Sequence, residues 1–131
     1  MDASRIISPP QAVAVRTWRE AMLYFARFEV GQPAGMSLDQ FLAHWYEEAK
    51  AAQQAQAAGV VKGLWKVAGQ RVVLAVLDLP DHDAVDRALA ALPIFRSLGG
   101  AIKTEVLPIR PYEAFAEDLR RAVEGAAAST P

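Results

Sequence analysis

An α+β fold with strands and helices in the order β-α-β-β-α-β, followed by one more helix, is what the sequence predicts. Three observations carry this. Aromatic or β-branched runs at 22–30, 60–67, 71–79 and 101–109 read as strands. Two segments with apolar residues at helical spacing separate the first from the second and the third from the fourth. Gly or Pro stands at nearly every junction.

Residues 1–21, interrupted by Pro9 and Pro10 and without a clean period, read as an N-terminal extension ahead of a domain over 22–111. Met22 opens "MLYFARFEV", the first strand, which Gly31, Pro33 and Gly35 end. Ser37 with Gln40 three residues on forms a capping box for a helix expected to run to about Gly59. Its apolar stripe is Leu38, Phe41, Leu42, Trp45, Ala49 and Ala52, and the Ala/Gln-rich "AAQQAQAAG" reads as helix-forming filler.

"VVKGLWKV" and "RVVLAVLDL" form a hairpin across "AGQ", where Gly69 can take the positive φ that such turns need. Pro80 ends the second of these strands, Asp81 or Asp83 caps, and Val85, Ala88, Leu89 and Leu92 mark a second helix that Pro93 stops. "AIKTEVLPI" is the fourth strand. Tyr112, Phe115, Ala116, Leu119 and Val123 mark a C-terminal helix in 112–131, ahead of a frayed tail "GAAASTP".

The order is that of a ferredoxin-like fold: a four-stranded antiparallel sheet with its two main helices on one face. In the third strand Val72, Leu74 and Val76 point one way and Val73, Ala75 and Leu77 the other, and both faces are apolar. A sheet with one bare apolar face predicts a second subunit's sheet against it, a dimeric α+β barrel-type assembly. The alternative is that the C-terminal helix folds across that face.

Bulk properties narrow the function. The 131 residues suffice for one domain with a core of its own. The absence of Cys excludes disulfides and thiolate chemistry and fits a reducing, cytoplasmic location. With 14 Lys+Arg against 15 Asp+Glu there is no electrostatic case for nucleic acid or an anionic membrane. No membrane span or signal peptide is expected. His44 and His82 are far apart in sequence and no His/carboxylate cluster has metal-ligand spacing, and Gly99-Gly100 lacks the helix and lysine of a phosphate loop, so neither metal nor cofactor is expected. The expected partners are a small-molecule substrate and a second copy of the chain.

Three blocks make the chain recognisable: Leu64-Trp65-Lys66-Val67-Ala68-Gly69, Asp78-Leu79-Pro80 and Leu92-Pro93-Ile94-Phe95. Together, over about Met22 to Pro111, they resemble the muconolactone Δ-isomerase family. The resemblance implies a cofactor-independent allylic isomerisation, in which a proton leaves one carbon of an unsaturated lactone and returns two carbons away. It also implies a homo-oligomer of sheet-to-sheet dimers. At some positions the chain departs from the family pattern, carrying Trp45 in place of a lysine, Phe25 in place of a histidine, and Gln70-Arg71 in place of His-Tyr.

Such chemistry needs a base and a donor to the enolate oxygen. Glu48, seven residues after Phe41 and three after Trp45, borders the apolar stripe, where desolvation makes a carboxylate a better base; the family motif has a glutamate here too. His44, one turn earlier, could orient it or donate to the oxyanion, although it lies further from the centre of the stripe and a solvated histidine is the simpler reading. Tyr24 is a candidate donor or core filler, and Arg27 faces the other side of its strand. His82, between two aspartates, reads as solvated. Trp45 and Trp65 are expected to wall a pocket or pack the core, and together with Arg71 and Phe95 they are the expected substrate contacts. Two other functions suit the same fold: a cyclase or cofactor-free oxygenase acting on a larger, more apolar substrate, and a non-catalytic small-ligand binder. The latter is favoured if Glu48 is solvent-exposed with no cavity beside it.

Overall fold

The computed structural model describes residues 22–129; the extension expected over 1–21 lies outside them. The elements are β1 (Leu23–Val30), α1 (Leu38–Ala57), β2 (Val61–Lys66), β3 (Val72–Asp78), α2 (His82–Ala90), α3 (Pro93–Leu98), a 3₁₀ turn (Gly99–Ala101), β4 (Ile102–Ile109) and α4 (Tyr112–Ser129). The sheet is antiparallel throughout in the order β2-β3-β1-β4, which is the predicted ferredoxin-like arrangement. Residues 22–109 form one compact unit, and α4 belongs to a second.

Local chemistry explains most boundaries. Ser37 and Gln40 make the full capping box, each side chain bonded to the other's backbone N–H. Asp81 caps α2 by accepting from the Ala84 N–H at 2.7 Å. Gly69 sits at φ +79° in the β2–β3 turn. Pro108 falls on β4, an edge strand, where a missing donor is tolerated.

Two expectations are corrected. Pro93 does not simply stop a helix: α2 ends at Ala90 and Pro93 is the first residue of a separate six-residue helix, a position where its missing N–H is harmless. The "GAAASTP" tail is helical as far as Ser129, because the alanines favour helix strongly enough to carry one glycine.

Register assigns the faces. Tyr24, Ala26 and Phe28 on β1 stand beside Leu77, Ala75 and Val73 on β3, and these six point toward the helices. The core there has two clusters. One is built on Tyr24, Ala26, Val61, Ala75, Leu77, Leu79 and Val85; the other on Val30, Phe41, Ile94, Leu98 and Ile102. Phe28 packs against both.

On the other face lie the rows Leu23–Asp78–Ile109, Phe25–Val76–Leu107 and Arg27–Leu74–Glu105. Within residues 22–109 the helices pack on the opposite face, and Leu107 and Ile109 here are 48% and 39% exposed, so this is the open face of that unit. The stripe expected on α1 is narrower than the sequence suggested. Phe41 is fully buried, whereas Leu38 and Leu42 are each half exposed, because a helix on a sheet buries only one arc of its surface. In α4, Tyr112 and Phe115 stack edge-on, and Arg120 bridges Glu117 and Glu124 along the polar side.

Candidate active site

A cavity of about 600 Å³ lies between the helix-facing side of the sheet and the helices, lined by members of both core clusters. Small side chains create the space. Ala49, Ala52 and Ala55 of α1, Ala75 of β3 and Ala88 of α2 all border it. The Ala-rich segment is thus more than helical filler, since larger residues at 52 and 55 would close the room that alanine leaves. The remaining wall is largely apolar, including Phe28, Trp45, Val73, Leu77 and Leu89.

Into this lining α1 places Glu48. Its Oε1 accepts the backbone N–H of Ile94 at 3.0 Å. That donor belongs to the first turn of α3, a helix whose N-cap residue, Leu92, supplies no side-chain acceptor. Pro93 has no N–H, and the Phe95 N–H goes to the Leu92 carbonyl at 3.1 Å. Glu48 therefore satisfies a donor that α3 would otherwise leave without an acceptor. Burial pushes its pKa above the ordinary carboxylate value, and the Ile94 N–H opposes this only in part. The result is a half-buried carboxylate held in one place and more basic than a surface glutamate.

The other candidates are distributed unevenly. Trp45 and Trp65 both line the cavity. Trp45 packs against Phe41 with ring centroids 5.7 Å apart and planes inclined at 60°. Trp65, on the edge strand, is 56% exposed and its ring lies over the backbone of Gly63, where an added Cβ would come within 2.2 Å of it. His44 is partly buried one turn before Glu48 but does not border the cavity.

Tyr24 points toward the helices, as one of the two opposed β1 side chains had to, yet it is buried outside the lining with its hydroxyl 2.8 Å from His82 Nδ1. His82 is exposed as expected, but it is also tied to β1 by this bond.

Arg71 does not reach the cavity. It packs its guanidinium over the Phe41 ring at 4.9 Å and borders a separate depression with Arg27, Glu29, Gln70 and Lys103. Phe95 packs edge-on against Phe28, 6.4 Å between centroids, behind the lining. Phe25 faces the open side of the sheet beside Val76 and Leu107. Of the positions that depart from the family pattern, only Trp45 therefore borders the cavity.

Sequence reasoning missed three polar contributors: the Ile94 N–H, and Gln53 and Lys66, which both line the cavity from exposed positions. Gln53 was legible as the helix position one turn beyond Ala49 of the apolar stripe. A backbone donor leaves no such trace in the sequence.

Fold and site together define a small α+β protein whose apolar cavity presents one basic carboxylate, an arrangement suited to moving a proton on an otherwise apolar molecule. Comparison with known proteins makes this specific. The sequence profile of the muconolactone delta-isomerase family matches residues 22–114. The muconolactone delta-isomerase of Pseudomonas aeruginosa is 32% identical over 74 residues, which span 56% of this chain and 77% of that protein. A crystal structure of muconolactone isomerase superposes with a TM-score of 0.58 at 27% identity, covering 67% of this chain and 88% of that one. The chain belongs to the muconolactone delta-isomerase family, and the protein is an isomerase. No helix among the described residues is long and apolar enough to cross a membrane.

Proposed function

We propose that this isomerase moves a carbon–carbon double bond along an unsaturated carbonyl compound, with Glu48 as the proton carrier and no cofactor. The unsaturated lactone named for its relatives exemplifies the reaction. The ionised carboxylate removes a proton from the allylic carbon, the electron pair delocalises onto the carbonyl oxygen, and Glu48, now protonated and exchanging with solvent while the enolate persists, delivers a proton to the far carbon of the allyl system. No net proton is gained or lost.

The observation that carries this reading is the placement of Glu48: half-buried in an apolar lining, with Oε1 fixed by the Ile94 N–H and Oε2 left to exchange the proton. A cavity beside a desolvated carboxylate argues against a non-catalytic binder. Gln53 and Lys66 at the rim and the Trp45 indole are the polar donors available to an enolate oxygen. His44, placed off the lining, acts at most by orienting Glu48. Tyr24, turned to His82, takes no part.

The protein works as a dimer or larger oligomer in which a second copy covers the open sheet face. Leu23, Phe25, Leu74, Val76, Leu107 and Ile109 supply the apolar area. Arg27 and Glu29 of β1 alternate with Glu105 and Lys103 of β4 at one end of the sheet, a mixed set that a two-fold copy could complement.

The test uses deuterated water and two probes, muconolactone and the neutral β,γ-unsaturated ketone androst-5-ene-3,17-dione. Wild type should introduce deuterium at allylic carbons of at least one probe while Glu48→Gln does so slower by about 10²- to 10⁴-fold. Exchange with neither probe above the buffer rate, or a variant matching wild type, overturns the proposal.

A further inference from the structure

The cavity constrains the size and charge of what Glu48 acts on. At the density of a protein interior, its 600 Å³ accommodate roughly 20 to 30 non-hydrogen atoms. Muconolactone, a six-carbon acid of about ten non-hydrogen atoms, would leave roughly half or more of that space empty. Five alanines keep this space open where any larger apolar residue would fill it, so the room is built into three separate elements.

Charge points the same way. Among the described residues lining the cavity, Lys66 is the one cation; it sits exposed on the edge strand, with Nζ 3.0 Å from the Val67 carbonyl. A ligand carboxylate deep in the lining would meet apolar walls and the like charge of Glu48, with the one cation, Lys66, held at the exposed edge. Arg71, which could have served as a counter-charge, borders the other depression.

We propose that the substrate of this site is a neutral, mainly apolar unsaturated ketone or lactone of polycyclic bulk, with a single carbonyl to be polarised. Its conversion rests on the reading of Glu48 as proton carrier; its size and charge do not. The carbonyl end meets the donors at the rim or the Trp45 indole, and the apolar body fills the space between Ala52, Ala75 and Ala88.

Isothermal titration of the full chain with androst-5-ene-3,17-dione and with muconolactone tests this. The steroid should bind saturably and at least about tenfold more tightly than the acid, and Ala52→Phe, which puts a ring into the cavity, should weaken steroid binding at least about tenfold. Ala88→Leu on another element serves the same end should the first variant not fold. Equal or tighter binding of muconolactone, or steroid affinity unchanged in a folded cavity-filling variant, overturns the proposal. The two readings fail separately. Saturable steroid binding without Glu48-dependent deuterium uptake removes the proton carrier and leaves the ligand class. Glu48-dependent exchange of muconolactone without steroid binding does the opposite.

Discussion

Removing the Glu48 side chain should reveal two opposing contributions to stability. Glu48→Ala leaves the Ile94 N–H without its acceptor in a short helix whose N-cap residue offers none. Loss of such a capping interaction costs about 1 kcal/mol, within a range of about 0.5–2. For a domain of this size that lowers the melting temperature by roughly 4–8 °C per kcal/mol. Against this, the carboxylate is destabilising when ionised, because burial raises its pKa in the folded state.

The pH dependence follows from that sign. Between the unfolded pKa, close to 4.5, and the higher folded value, the folded protein binds more protons than the unfolded chain. The stability that Glu48 contributes is therefore full below the unfolded value and is lost as pH rises through the folded one. Glu48→Ala should show its largest deficit against wild type near pH 4 and a smaller one at pH 7. Glu48→Gln, which can still accept from Ile94, should stay within about 1 kcal/mol of wild type at pH 7. Thermal melts of the three proteins at both pH values read this out. A deficit that grows with pH, or Glu48→Ala melting with wild type at both, would refute the reasoning.

Two further substitutions separate the faces of β3. Val73→Asp puts an unpaired carboxylate into the cavity wall and should destabilise the fold by about 2 kcal/mol or more, seen as a lowered melting temperature, whereas Val76→Asp on the open face should chiefly convert oligomer to monomer in light scattering. Gly63→Ala should displace the Trp65 ring, shifting its indole N–H resonance with a stability change under about 1 kcal/mol, since a side chain rather than backbone gives way.

Much of this architecture was legible because each element obeys a local rule. The alternation in Val72–Leu77 assigned both sheet faces, and Ser37 with Gln40 set the start of α1. The spacing of Glu48 from Phe41 and Trp45 placed it at the edge of the buried arc, where it is found. What stayed hidden depends on contacts between distant segments. Helix α3 is too short to show a period, and its opening proline reads equally as a stop and as a first helical residue. The acceptor role of Glu48 therefore could not be read, because its donor is a backbone N–H 46 residues away. The Tyr24–His82 bond spans 58 residues and diverts a candidate catalytic hydroxyl. Composition predicted a helix from the alanines after Lys50, but not that Ala52 and Ala55 would border a cavity with Ala75.

The most direct test is the rate of deuterium uptake into an unsaturated carbonyl probe as a function of pH, for wild type beside Glu48→Gln. If Glu48 carries the proton, the wild-type rate falls on the acid side through a single group whose midpoint lies above the ordinary glutamate value. The variant lacks that limb and runs about 10²- to 10⁴-fold slower on the plateau. Identical profiles for the two proteins would contradict the account.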